Sequence, residues 1–158
     1  VTAPATVVAL LRERGQTVAT AESLTAGMVT AALTSVPGAS AAVRGGLVVY
    51  ATDLKHALAG VDGALLAEHG AVHPEVARQL AEGARTRCGA DWGLGLTGVA
   101  GPDPQDGVGP GTVHIGLAGG TGTEVRSMTL GGDRHEIRSA SVDAALTLLL
   151  EGLTSTSG

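Results

Sequence analysis

Three side chains combine scarcity with reactivity. Tyr50 is the only tyrosine and Lys55 the only lysine in 158 residues, and Ser23 stands in Ala21-Glu22-Ser23-Leu24-Thr25-Ala26-Gly27, where an apolar run gives way to a helical one. The other nine basic side chains are arginine, whose guanidinium stays charged at any physiological pH. A desolvated lysine amine can instead lose its proton and serve as a base. If Ser23, Tyr50 and Lys55 meet at one sheet edge, they form a Ser–Lys–Tyr set suited to acyl transfer. Taken by itself, the Ser23 segment reads first as a helix N-cap, since Ser and Thr there satisfy free backbone N–H groups. A nucleophile held at a helix N-terminus is the sharper reading, and the five-residue spacing of Tyr50 and Lys55 is open to coincidence.

Other segments carry weaker signals. Leu96-Thr97-Gly98-Val99-Ala100-Gly101-Pro102 is a glycine loop after a strand, either a tight crossover or a backbone cradle for a phosphate or an oxyanion. Arg134 opens the last helix, where it could bind a phosphate or pair with Asp133. His56, His69 and His73 lack ligand spacing, so no metal is expected and they read as surface or capping histidines. One cysteine, Cys88, allows no internal disulfide and fits a reducing cytoplasm. A net charge of −5 and an aromatic content of 1% give neither a basic stripe nor a stacking platform, which argues against nucleic acid. No apolar run approaches the ~20 residues of a membrane span. The basic residues near the start follow the apolar ones, against the order of a signal peptide.

These side chains need a scaffold. With no Phe and 25 glycines, its core must be built from Val, Leu and Ala. Helical spacing runs from Ala3 to Arg14, with Gly15 as a stop. A strand is expected over 17–21, a helix to about Ser35, a strand over 45–50, and short helices over 53–59 and 63–68. A long helix runs from Pro74 to about Cys88, and a third strand from Trp92 to Leu96. A hairpin pairs 112–118 with 124–130, and a final helix covers about 133–150, before a polar tail expected to fray. No repeat or linker interrupts this order, so a single α/β domain over 1–158 is expected. Helices should cover both faces of the sheet, which the closing hairpin makes mixed.

Thr20-Ala21-Glu22-Ser23-Leu24-Thr25-Ala26-Gly27 resembles the Ala-Glu-Ser-Cys-Thr-Gly-Gly segment of the CinA C-terminal domain family, the nicotinamide-nucleotide amidohydrolases. The resemblance continues in order through Val36-Pro37-Gly38, Arg44 to Tyr50, Lys55, His69-Gly70-Ala71-Val72, Leu96 to Pro102, Gly111-Thr112-Val113 and Gly132-Asp133-Arg134. It implies a three-layer α/β/α sandwich with a mixed, mostly parallel sheet, hydrolysing the carboxamide of nicotinamide mononucleotide to the acid and ammonia. Ser23 would be the nucleophile, with Lys55 and Tyr50 activating it. Thr25, Ala26, Gly27, Arg44, Thr97, Gly98, Gly101 and Arg134 would bind substrate. The resemblance implies neither metal nor cofactor; a homo-oligomer in the cytoplasm is expected. Leu24 and Ala26 depart from the pattern, as does Ala51-Thr52-Asp53 after Tyr50. The alternative is therefore a catalytically weak module that binds pyridine nucleotides.

Overall fold

The fold is described by a computed structural model over residues 2–155. Strands β1 (Val18–Glu22), β2 (Val43–Val48), β3 (Trp92–Gly98), β4 (Thr112–Gly119) and β5 (Gly122–Thr129) form one sheet in the order β2-β1-β3-β4-β5. β1 pairs parallel with β2 and β3, whereas β3–β4 and β4–β5 are antiparallel. The sheet is therefore mixed as expected, but its four pairings divide evenly and it is not mostly parallel. The closing hairpin turns in two residues, Gly120 and Thr121, and brings β5 back beside β4.

Helices α1 (Ala3–Arg14), α2 (Met28–Thr34) and α6 (Arg134–Ser155) cover one face, and α3 (Thr52–Ala57), α4 (Gly63–His69) and α5 (Pro74–Arg87) lie on the other side. This is the three-layer arrangement. Local chemistry sets the helix ends. The Thr2 side chain accepts from the Ala5 N–H, and Gly15 closes α1 in the left-handed conformation. His73 caps α5 by accepting from the Glu75 N–H, ahead of Pro74 at the first turn.

The two-residue period of the strands sorts side chains between the faces. Val18, Leu94, Leu96, Val113, Ile115 and Leu117 pack with α1, α2 and α6 in the larger apolar cluster. The opposite positions on the central strands are nearly bare. A β-carbon on Gly93 would lie 2.1 Å from the Ala81 oxygen, and one on Gly116 would lie 2.5 Å from the Ala77 oxygen. Helix α5 meets this surface with Ala77, Leu80, Ala81 and Ala84, all buried. Its backbone thus rests almost directly on the sheet, which explains much of the glycine in a chain without phenylalanine.

Gly95→Ala is the direct test of this contact, because its β-carbon would come within 2.4 Å of the Ala81 nitrogen. Backbone cannot swing aside, so the helix must lift. The expected loss is about 1–3 kcal/mol of stability, read as a lower urea midpoint with unchanged slope. A midpoint equal to the parent's would contradict the close approach.

Some boundaries differ from the sequence reading. β2 begins at Val43 instead of Gly45 and ends at Val48, which leaves Tyr50 outside the ladder. Helix α6 continues past Leu150 to Ser155, with Gly152 against Leu117 and Trp92. The tail expected to fray extends to 156–158, which lie outside the described residues. No helix among the described residues is long and apolar enough to cross a membrane.

Candidate active site

The carboxyl end of β1 delivers both a structural anchor and the candidate nucleophile. By strand alternation Glu22 points toward α2, where it is fully buried. One carboxylate oxygen accepts from the Thr25 hydroxyl (2.6 Å) and the Val29 N–H (2.9 Å). The other accepts from the Thr30 N–H (3.0 Å) and the Thr30 hydroxyl (2.8 Å). Glu22 therefore satisfies the N–H groups at the start of α2, and it was not singled out from the sequence. The N-cap position is Gly27, with no side-chain cap bond, so the reading of Ser23 or Thr25 as the helix cap is corrected. A carboxylate closing a short apolar strand, six residues before a helical run, is the signal that could have found it.

Ser23 is freed from capping. Its N–H still donates to the Leu96 carbonyl (3.1 Å), which holds it beside β3. The chain then turns tightly, with the Ala26 N–H donating to the Ser23 carbonyl, Ala26 at φ 47° and Gly27 at φ 98°. Ala26 occupies a left-handed conformation that glycine adopts without a β-carbon penalty, which accounts for the glycine in the related pattern. Ser23 and Leu24 line a cleft of about 370 Å³, whose walls include Tyr50, Arg134 and the loop from Gly98 to Gln105.

Lys55 lies beneath this region. Its side chain is 1% exposed, and Nζ donates to the carbonyls of Val49 (2.9 Å) and Tyr50 (3.1 Å). Burial lowers its pKa from the usual 10.5 to about 8, against the opposing pull of the Asp106 carboxylate. Two carbonyl acceptors are what a neutral amine can satisfy with its two N–H bonds, leaving the nitrogen lone pair available. Tyr50 is half-exposed, and its hydroxyl oxygen accepts from the Arg134 guanidinium (3.1 Å). Arg134 also donates to the Gly101 carbonyl (2.7 Å), tying α6 to the glycine loop. Asp133 instead exchanges capping bonds with Glu136, so the pairing of Arg134 with Asp133 does not occur.

The structure thus brings Ser23, Tyr50, Gly98, Gly101 and Arg134 to one cleft, with Lys55 bonded to its Tyr50 wall. Ala26 and Gly27 shape the turn behind Ser23. Two hydroxyls are engaged elsewhere: that of Thr25 in Glu22, and that of Thr97 in the Ala71 carbonyl (2.7 Å). Arg44 is not brought here. It sits at the start of β2, at the other end of the sheet, and donates to the Cys88 carbonyl. Trp92 pairs in register with Val18 at that same distant end, which leaves Tyr50 as the aromatic ring of the cleft. Asp103 and Gln105 line the cleft and were not anticipated. His73 caps α5, and His56 Nδ1 contacts the Val61 carbonyl in the connection between α3 and α4.

The family model of the CinA C-terminal domain matches residues 2–153. A CinA-like protein of Frankia casuarinae is 53% identical over 143 residues, covering 90% of this chain and 33% of the relative. A CinA-like protein of Anaeromyxobacter dehalogenans is 51% identical over 149 residues, 92% of this chain and 36% of that protein. The chain therefore spans about a third of the length of the curated relatives it matches. Among solved structures, the competence damage-inducible protein A of Klebsiella pneumoniae superposes with a TM-score of 0.94 at 31% identity, covering 98% of this chain and 97% of that one. A competence/damage inducible protein from Agrobacterium tumefaciens gives 0.91 at 35% identity, over 96% and 93%.

Proposed function

Because the chain belongs to the CinA C-terminal domain family, we propose that its cleft is a serine amidase site that converts the carboxamide of nicotinamide mononucleotide to the carboxylate and ammonia in the cytoplasm. The observation that carries this reading is the buried amine of Lys55, bonded only to carbonyl oxygens and with a lowered pKa, beside a cleft lined by Ser23. An amide is a poor electrophile and its leaving group must be protonated, so the site needs a base that can return its proton.

In this mechanism the Lys55 lone pair takes the Ser23 proton as Oγ attacks the carboxamide carbon. Backbone N–H groups of the Ser23–Gly27 turn and the glycine loop would stabilise the tetrahedral oxyanion. The Tyr50 oxygen accepts from Arg134, so its own hydrogen is free to point at the departing nitrogen. Tyr50 donates that hydrogen as the C–N bond breaks and is reprotonated from Lys55. Water then hydrolyses the acyl-serine by the same groups in reverse. Arg134 and the Gln105 side chain suit an anionic, hydrogen-bonding ligand such as a nucleotide phosphate, with Tyr50 as the stacking surface.

The test is ammonia release from nicotinamide mononucleotide, followed against pH. The neutral amine is the working base, so kcat/KM should rise about tenfold per pH unit below the Lys55 pKa of about 8 and level off above it. A flat profile between pH 6 and 9 would remove Lys55 from that role. Thermal stabilisation by the nucleotide without ammonia release would favour the binding module, a reading that draws on Leu24 standing in the cleft wall.

A further inference from the structure

The amino-terminal end of α6 carries Arg134 and Arg138, one helical turn apart and so on the same face. Cations are disfavoured there, because the helix dipole places positive charge at that end. Arg134 is accounted for by Tyr50 and the Gly101 carbonyl. Arg138 is half-buried, and among the described residues its guanidinium has no carboxylate partner. Its Nε donates instead to the Leu24 carbonyl at 2.8 Å, across 114 positions of sequence.

Leu24 directly follows the candidate nucleophile. The Leu24–Thr25 peptide is trans, so fixing its carbonyl toward α6 fixes the Thr25 N–H in the opposite sense. The Ala26 N–H bond to the Ser23 carbonyl closes the turn but does not engage its central Leu24–Thr25 peptide, whose carbonyl is held by Arg138. A carbonyl with no donor there could turn its negative end toward the oxyanion that forms on Ser23 chemistry. We propose that Arg138 is a positioning residue for the nucleophile turn, holding the Leu24 carbonyl so that the Leu24–Thr25 peptide stays oriented for oxyanion stabilisation. It touches no substrate and acts through that peptide. The inference rests on the serine reading above.

The experiment compares the parent with Arg138→Met, which keeps the aliphatic stem and removes the donor. Ser23 labelling by a fluorophosphonate is followed by mass spectrometry, alongside kcat and KM for ammonia release. The phosphonylation transition state also develops charge on oxygen, so it reads the turn without depending on the natural substrate. We expect the labelling rate and kcat to fall about 10- to 100-fold, KM to stay within about twofold, and circular dichroism to stay native. In Arg138→Ala, millimolar methylguanidinium should restore part of the rate. Should Arg138→Met fail to fold, Arg138→Lys, with a less suitable donor, takes its place and is expected to lose rate with KM held. A variant labelled at the parent's rate, or one whose loss merely follows its unfolded fraction, overturns the positioning role alone. A folded parent that is never labelled at Ser23 overturns the serine reading and this inference with it.

Discussion

Ser23→Ala and Lys55→Met should each reduce kcat for ammonia release by about a thousandfold or more, while leaving a folded protein. The serine change removes the attacking oxygen at a position that the backbone bond to Leu96 already holds. Methionine suits the lysine slot because its unbranched stem fills an almost wholly enclosed channel without a charge. The cost to stability is about 1–3 kcal/mol, since the carbonyls of Val49 and Tyr50 lose their shared donor. Raising the pH distinguishes a missing base from a mistuned one: no alkaline condition should recover Lys55→Met. Lys55→Arg adds a second constraint, because it keeps N–H donors yet cannot become neutral. Either lysine variant retaining a tenth of the parent kcat would show that another group takes the Ser23 proton.

Glu22→Gln is expected to cost about 2–4 kcal/mol, the largest loss for a change that preserves shape. Each carboxylate oxygen accepts from at least two donors, drawn from Thr25, Val29 and Thr30. Whichever way the amide is turned, its NH2 group faces a backbone N–H, of Val29 or of Thr30, and strands it in a buried pocket. Urea denaturation measures the loss, which should exceed that of Gly95→Ala. Activity should fall as well, because Thr25 and the start of α2 hold the turn on which Ser23 stands. A shift below about 0.5 kcal/mol, the range of an ordinary surface substitution, would mean that the carboxylate anchors nothing.

Much of the scaffold is legible in the residues because it depends on local spacing. Helix α1 follows from its apolar period and Gly15, and α5 from Pro74 at its first position. Strand β2 was displaced because its limits depend on pairing: Val43 finds Val18, and Tyr50 is released toward the cleft. The evenly mixed sheet escaped for the same reason, since the placing of β4 beside β3 is a tertiary choice.

The site divides along similar lines. Ser23, Lys55, Tyr50 and Arg134 stand out by type, rarity and motif, and strand order brings them to one end of the sheet. Arg44 was misplaced because a motif running along β2 says nothing about which end of the strand faces the cleft. Thr25 and Thr97 were given to substrate because a hydroxyl's partner is invisible until the chain folds. Here those partners are the Glu22 carboxylate and the Ala71 carbonyl. Leu24 shows the reverse case, in which an apolar side chain hides a backbone oxygen gripped by a distant arginine.

The glycine and alanine contact between α5 and the sheet also bears on where this protein can move. Those residues have no rotamers to exchange, so that interface offers no set of alternative packings at neighbouring energies. A ligand entering the cleft cannot be accommodated by repacking on that side. The Ala71 carbonyl, just ahead of α5 and tied to Thr97, shares this fixed height above the sheet. Adjustment is left to groups with torsions to spare, namely the exposed Tyr50 ring, the Arg134 side chain and the loop that carries Asp103 and Gln105. Selectivity among nucleotides of different size should accordingly be altered by changes in those groups, and little by changes beneath α5.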